Sequence, residues 1–138
     1  MKTEDMMAVE QVIARYAYAF DSGDADAWAD TFCEDGVWEM VDQLGGEPRR
    51  RLVGRAELAA FCTHQFTNRA PGASSFHHQS SVLFEKLTAD TARTRTLLIL
   101  SVKTTGERPR IQMTGIYHDD WLRAGAGWRL QRRVLTAS

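Results

Sequence analysis

The chain has no surplus of either charge: 17 basic residues stand against 18 acidic ones, a net of −1. Such a balance argues against binding nucleic acid or an anionic membrane through a general positive field. The nearest thing to a basic run is Arg49-Arg50-Arg51 followed by Arg55. Glu47 and Glu57 flank it, so it reads as a solvated loop. No stretch approaches the roughly 18 apolar residues that cross a bilayer. The opening Met-Lys-Thr-Glu-Asp carries acid where a signal peptide carries its apolar core, and a cytoplasmic location is expected. Cysteine is scarce. Cys33 and Cys62 have no CxxC spacing, and each is expected to act as a small buried hydrophobe on a helix. His64, His77, His78 and His118 form neither HxH nor HExxH, and His118-Asp119-Asp120 would point to alternate faces of one strand, so no metal is expected. GxGxxG, a phosphate loop and GxSxG are all missing, which leaves nucleotide binding and serine hydrolysis without support. No cofactor is expected.

What remains is a chain of 138 residues, 43% apolar and 25% charged, the size and composition of one globular domain over residues 1–138. Val9, Ile13, Tyr16 and Phe20 recur at helical spacing and form one apolar stripe. Thr3 is the expected N-cap, Glu4 and Asp5 supply first-turn acid, and Ser22-Gly23 ends the helix. Asp24 caps a short second helix that turns Trp28 and Phe32 inward, and residues 37–40 read as a short strand. Residues 42–51, with two glycines, a proline and three arginines, read as a loop. A third helix follows Gly54, its inner side formed by Leu58, Phe61, Cys62 and Phe66, and Pro71-Gly72 lies at the centre of its break. The second half then changes character. Residues 76–87, 91–103, 111–123 and 128–136 are rich in Thr, Val, Leu, Ile and aromatics, and short joints connect them, so they should form antiparallel hairpins. The result is an α+β domain, a cone-like curved antiparallel sheet packed against three N-terminal helices. Gly115, inside a strand, suits a bend or bulge that makes the curvature.

Four residues form the candidate catalytic set: Tyr16, Asp21, His77 and Arg133. Imidazole titrates near neutrality and can take and return a proton within one turnover. A carboxylate on one ring nitrogen fixes the tautomer. A phenol can donate to a leaving or developing oxyanion, and a guanidinium can hold that charge. Each also has an ordinary reading: Tyr16 as core, Asp21 as a helix-end surface acid, and one of the His77-His78 pair on each face of a strand. Trp28, Trp38, Phe61, Phe66, Met113 and Tyr117 are candidate linings of a ligand pocket, or simply core.

The order of several short motifs sharpens this reading. Tyr16-Ala17-Tyr18-Ala19-Phe20-Asp21-Ser22-Gly23-Asp24 is followed by Trp28, Phe32 and Asp35-Gly36, and then by residues 52–58. Later come Phe76-His77-His78, Gly115-Ile116-Tyr117 and Gly127-Trp128-Arg129-Leu130, with Arg133 five residues after the Trp. Over nearly its full length the chain resembles the SnoaL-like branch of the nuclear-transport-factor-2-like (NTF2-like) superfamily. That resemblance implies a cystatin-like roll, dimeric or higher in most members. Its enzymes include scytalone dehydratase, bile-acid 7α-dehydratase and polyketide cyclases. In the dehydratase-like members a His–Asp pair acts as base, and Asp21 and His77 match its positions. Tyr16 matches the phenol of bile-acid 7α-dehydratase, and Arg133 a last-strand arginine of several members.

Val102 stands where scytalone dehydratase has a second histidine, and Phe20 where it has a tyrosine. The arrangements of the epoxide hydrolase and of ketosteroid isomerase are not reproduced. The resemblance thus implies a cofactor-independent lyase or isomerase acting on a small, mostly apolar ring compound such as a polyketide, steroid or terpenoid. A homodimer or higher homo-oligomer is the expected assembly. A polyketide-cyclase-like enzyme, a non-catalytic ligand-binding domain and an accessory subunit of an oxygenase stand as alternatives.

Overall fold

The computed structural model describes residues 2–137. The N-terminal part contains α1 (Thr3–Ser22), α2 (Ala25–Ala29), β1 (Phe32–Val41), β2 (Arg50–Val53) and α3 (Arg55–Thr67). Four long strands follow: β3 (Ala73–Leu87), β4 (Thr91–Thr104), β5 (Arg110–Ala124) and β6 (Gly127–Ala137). They form one curved, unclosed sheet in the order β2-β1-β6-β5-β4-β3. The four long strands pair as antiparallel hairpins, while β1 runs parallel to β6 and joins the N-terminal part to the sheet.

Each element buries the face that its sequence period dictates. On α1, Val9, Val12, Ile13, Tyr16 and Ala19 are buried, one helical stripe turned toward the sheet. On β4, Ala92, Thr94, Thr96 and Leu98 point inward, and Arg93, Arg95, Leu97 and Ile99 point outward. Trp28 and Trp121 are essentially fully buried between the layers. Burying side chains of that size contributes about 2–3 kcal/mol each. Gly23 closes α1 at φ 74, and a Cβ there would lie 2.4 Å from the Phe66 ring. Glycine is therefore needed both for the left-handed turn and for seating α3 against the end of α1.

Several local expectations are corrected. Lys2, not Thr3, occupies the α1 N-cap position, and it makes no side-chain cap bond. The first-turn acid Asp5 instead accepts from Arg123 Nη2 at 2.7 Å and Trp128 Nε1 at 3.2 Å, which ties the helix start to the β5–β6 hairpin. Phe32 and Cys33 lie at the start of β1, not on a helix, because Leu130 N donates to Thr31 O and begins the parallel ladder there. Cys33 is only partly buried. Arg50 and Arg51 are strand residues of β2, and Arg51 pairs with Glu39 across the β1–β2 ladder. Gly115 sits in regular register opposite Leu98 and Ala137. The register shifts fall elsewhere, between Phe32 and Val37, Ser80 and Leu83, Phe84 and Lys86, Leu100 and Ser101, and Asp120 and Trp121. A Cβ on Gly115 would lie 2.7 Å from Thr136 O, so glycine serves close approach of β5 and β6 rather than a bulge.

Candidate active site

A cavity of about 520 Å³ lies between the helices and the inner sheet face. Its buried walls carry Tyr16, Trp28, Trp38, Leu98, Val102, Tyr117 and Leu135, and its exposed residues include His64, Asn68, Arg69, Ser74, Arg110 and Gln112. Tyr16, Asp21, His77, Trp28, Trp38, Phe61, Phe66, Met113 and Tyr117 all line it. Arg133 does not.

Asp21 lies in the last turn of α1, and His77 points inward from β3 while its neighbour His78 points outward to Ser101 Oγ at 2.8 Å. The Asp21 carboxylate holds His77 twice. Oδ1 is 2.6 Å from His77 Nδ1, and Oδ2 accepts the His77 backbone N–H at 2.9 Å. A carboxylate only accepts, so the neutral imidazole carries its proton on Nδ1 and leaves Nε2 with a lone pair. The two side chains are 10% and 18% exposed, little enough to be held rigidly and open enough to meet a ligand. Phe20 packs edge-on against the imidazole at 5.2 Å between ring centroids.

Tyr16 stands one helical step back, its ring 6.4 Å from that of His77. Trp38 Nε1 donates to Tyr16 Oη at 3.1 Å. With a donor already on its oxygen, the phenol keeps its own proton for another acceptor.

Behind the two tyrosines lies Arg133, fully buried. Its Cζ is 4.2 Å from the Tyr16 ring centroid and 3.5 Å from that of Tyr117. Asp119 on β5 accepts from Arg133 Nε at 2.9 Å and from Nη2 at 3.2 Å. Burial holds the Asp119 carboxyl above its ordinary value, and the guanidinium offsets only part of that rise. Burial also raises the Tyr117 phenol well above its ordinary value, with the Tyr16 phenol adding to the shift and Arg133 opposing it. Arg133 can thus act on a ligand only through the tyrosine rings. Asp119 is the residue that sequence reasoning missed in this role. Its signal was the alternation Tyr117, Asp119, Trp121, which places it on the inner face.

Cys62 lies on the inner face of α3 with no exposed surface, and burial pushes its thiol up to about 11, which removes it as a nucleophile near neutral pH. Among the described residues, no three His, Cys, Asp or Glu side chains gather as metal ligands. None of the described helices is long and apolar enough to cross a membrane.

Comparisons with known proteins agree with this architecture. No curated protein matches the chain by sequence. Among solved structures, an NTF2-like protein with a cystatin-like fold from Novosphingobium aromaticivorans is 26% identical with a TM-score of 0.78, covering 96% of this chain and 80% of that one. A protein of the same organism described as a "putative scytalone dehydratase" is 22% identical with a TM-score of 0.78, covering 96% and 83%. ActVI-ORFA of Streptomyces coelicolor is 18% identical with a TM-score of 0.82, covering 99% and 98%. These last two likenesses are of fold. The SnoaL-like domain family matches residues 1–134, and with the helix-capped curved sheet already described, the chain belongs to that family.

Proposed function

We propose that the cavity is the active site of a cofactor-independent lyase of the dehydratase type, acting on a small ring compound by general acid–base catalysis. The observation that carries this reading is the Asp21–His77 pair, 2.6 Å apart, on the wall of a cavity that Tyr16, Phe20, Trp28, Trp38 and Tyr117 also line. His77 Nε2 removes a proton from the carbon next to a ring carbonyl, and Asp21 stabilises the imidazolium that forms. The electron pair of the broken C–H bond becomes the new C=C bond as the β-hydroxyl departs. Tyr16 gives its proton to that hydroxyl, which leaves as water. The imidazolium proton then returns to the Tyr16 phenolate through the product water, and the site is reset. Arg133, stacked behind the Tyr16 and Tyr117 rings, stabilises the phenolate while it exists.

Incubating the protein in D₂O with cyclic β-hydroxyketones tests both halves of the reaction. Enone absorbance reports loss of water, and mass spectrometry reports exchange of the proton next to the carbonyl. His77→Ala should lower both rates by about 10²–10⁴-fold and leave the circular-dichroism spectrum unchanged. Equal rates for variant and parent would overturn the mechanism. Binding of the ketones with neither exchange nor elimination would mark the chain as a ligand-binding domain instead.

A further inference from the structure

The cavity is unevenly charged. Among the described residues its only carboxylate is Asp21, already engaged by His77. Arg69 and Arg110 line it, and neither is paired with an acid among the described residues. Arg69 is fixed in place: its guanidinium stacks 3.7 Å from the Phe66 ring centroid and donates to Phe66 O at 2.7 Å and Ala73 O at 3.0 Å. A third cation, Arg50, stands 5.0 Å over the ring of Phe61, another lining residue, and it too has no carboxylate partner. The Arg110 side chain, at the start of β5, makes no hydrogen bond or ion pair with any described residue.

Most arginines elsewhere behave differently. Arg49, Arg51, Arg55, Arg93, Arg95, Arg123, Arg132 and Arg133 each have an Asp or Glu within ion-pair distance. Arg15, Arg108 and Arg129 also have no described Asp or Glu within ion-pair distance, but they do not line the cavity. What sets the cavity apart is two unpaired guanidiniums on a lining with one carboxylate, already engaged. Their forked donors suit a planar or tetrahedral oxyanion.

We infer that the ligand of this cavity carries an anionic substituent on its ring system, held at the exposed side of the cavity by Arg110, with Arg69 as the second cation of the lining. This inference rests on the cavity being the ring-binding site proposed above, and it names the class of ring compound: a ring acid, not a neutral ketone alone. The ring occupies the aromatic floor near His77, and the anion stays at the solvated rim where burial costs it least. Arg110 is the adaptable contact, because Arg69 already spends two of its donors on the turn that follows α3.

Calorimetric titration with 2-naphthoate and with the neutral 2-acetylnaphthalene tests this directly, because it needs no turnover. The carboxylate should bind about tenfold more tightly than the ketone, the scale of one charge-assisted hydrogen bond. Arg110→Gln should reduce that preference several-fold and leave the affinity for the ketone unchanged. Added salt should narrow the preference in the parent and hardly affect it in the variant. Tighter binding of 2-naphthyl phosphate than of 2-naphthoate would assign the anion as a phosphate. Equal affinity for the naphthoate and the ketone, or an unchanged preference in Arg110→Gln, would overturn this inference and leave the acid–base reading standing. Failure of all three compounds to bind at millimolar concentration would overturn both. Unchanged turnover in His77→Ala with the anion preference intact would overturn the acid–base reading and leave this inference standing.

Discussion

Two carboxylate–cation pairs flank Tyr16, and they are built for opposite ends. Asp21–His77 lies on the cavity wall, with both partners slightly exposed and the cation formed only when the imidazole takes a proton. Asp119–Arg133 lies behind the tyrosines with both side chains wholly buried, and its guanidinium is charged at every accessible pH. The first pair can change its charge within a reaction cycle. The second supplies a constant field and a constant shape. A carboxylate beside a cation is thus not in itself a catalytic signal: the titration range of the cation and its access to the ligand separate the two roles.

Asp119→Asn attacks the fixed pair and should have the largest effect on stability. It leaves the buried Arg133 without its countercharge, and breaking such a pair costs about 3–5 kcal/mol. Chemical denaturation would measure the loss, and a double variant with Asp119→Leu and Arg133→Met should regain much of it. A change below about 1 kcal/mol would mean that the buried pair is replaceable by its neighbours. Asp21→Asn is the matching probe of the cavity pair. An amide oxygen can still accept one of the two His77 donors, so the stability change should stay near 1 kcal/mol. Turnover should fall by roughly 10²-fold, because the carboxylate no longer stabilises the imidazolium. A stability loss as large as that of Asp119→Asn would erase the distinction between the pairs.

The difference between the pairs also explains what could be read from the sequence. The α1 stripe, the four hairpin strands and the inward turn of His77 follow local periods, and local periods were legible. The meeting of Asp21 with His77 is non-local, across 56 residues, and the family resemblance supplied it. Arg133 shows the limit of alternation. Trp128 and Leu130 point inward, so a regular strand would turn Arg132 inward and Arg133 outward. The register shift opposite Asp120 and Trp121 inserts Gln131 and reverses the phase, so Arg133 enters the core and meets Asp119. For the same reason β2 was hidden: only Leu52 among its four residues is buried, and its arginines resemble a loop until β1 is laid beside them.

A third histidine sharpens the contrast at the smallest scale. His118 points outward from β5, and its Nε2 donates to Thr136 Oγ1 at 3.3 Å, since that hydroxyl gives its own proton to Ile116 O. Partial burial and nearby Arg95 hold His118 below its ordinary value of 6.5, while Asp119 and Glu85 pull the other way. A histidine depressed in the folded state takes up its proton more readily when the chain unfolds. Its contribution to stability is therefore present above about pH 6.5 and is lost as the pH falls through its lower folded value. His118→Gln keeps a donor for Thr136 but cannot titrate. Thermal melts from about pH 7 to about pH 5 should fall less steeply for this variant than for the parent, since carboxylates that titrate in both cancel in the comparison. The pH profile of turnover, governed by His77 in the proposed mechanism, should stay in place. Parallel melting curves would remove His118 as a source of the pH dependence, and a displaced turnover profile would show that the outer sheet face is coupled to the cavity.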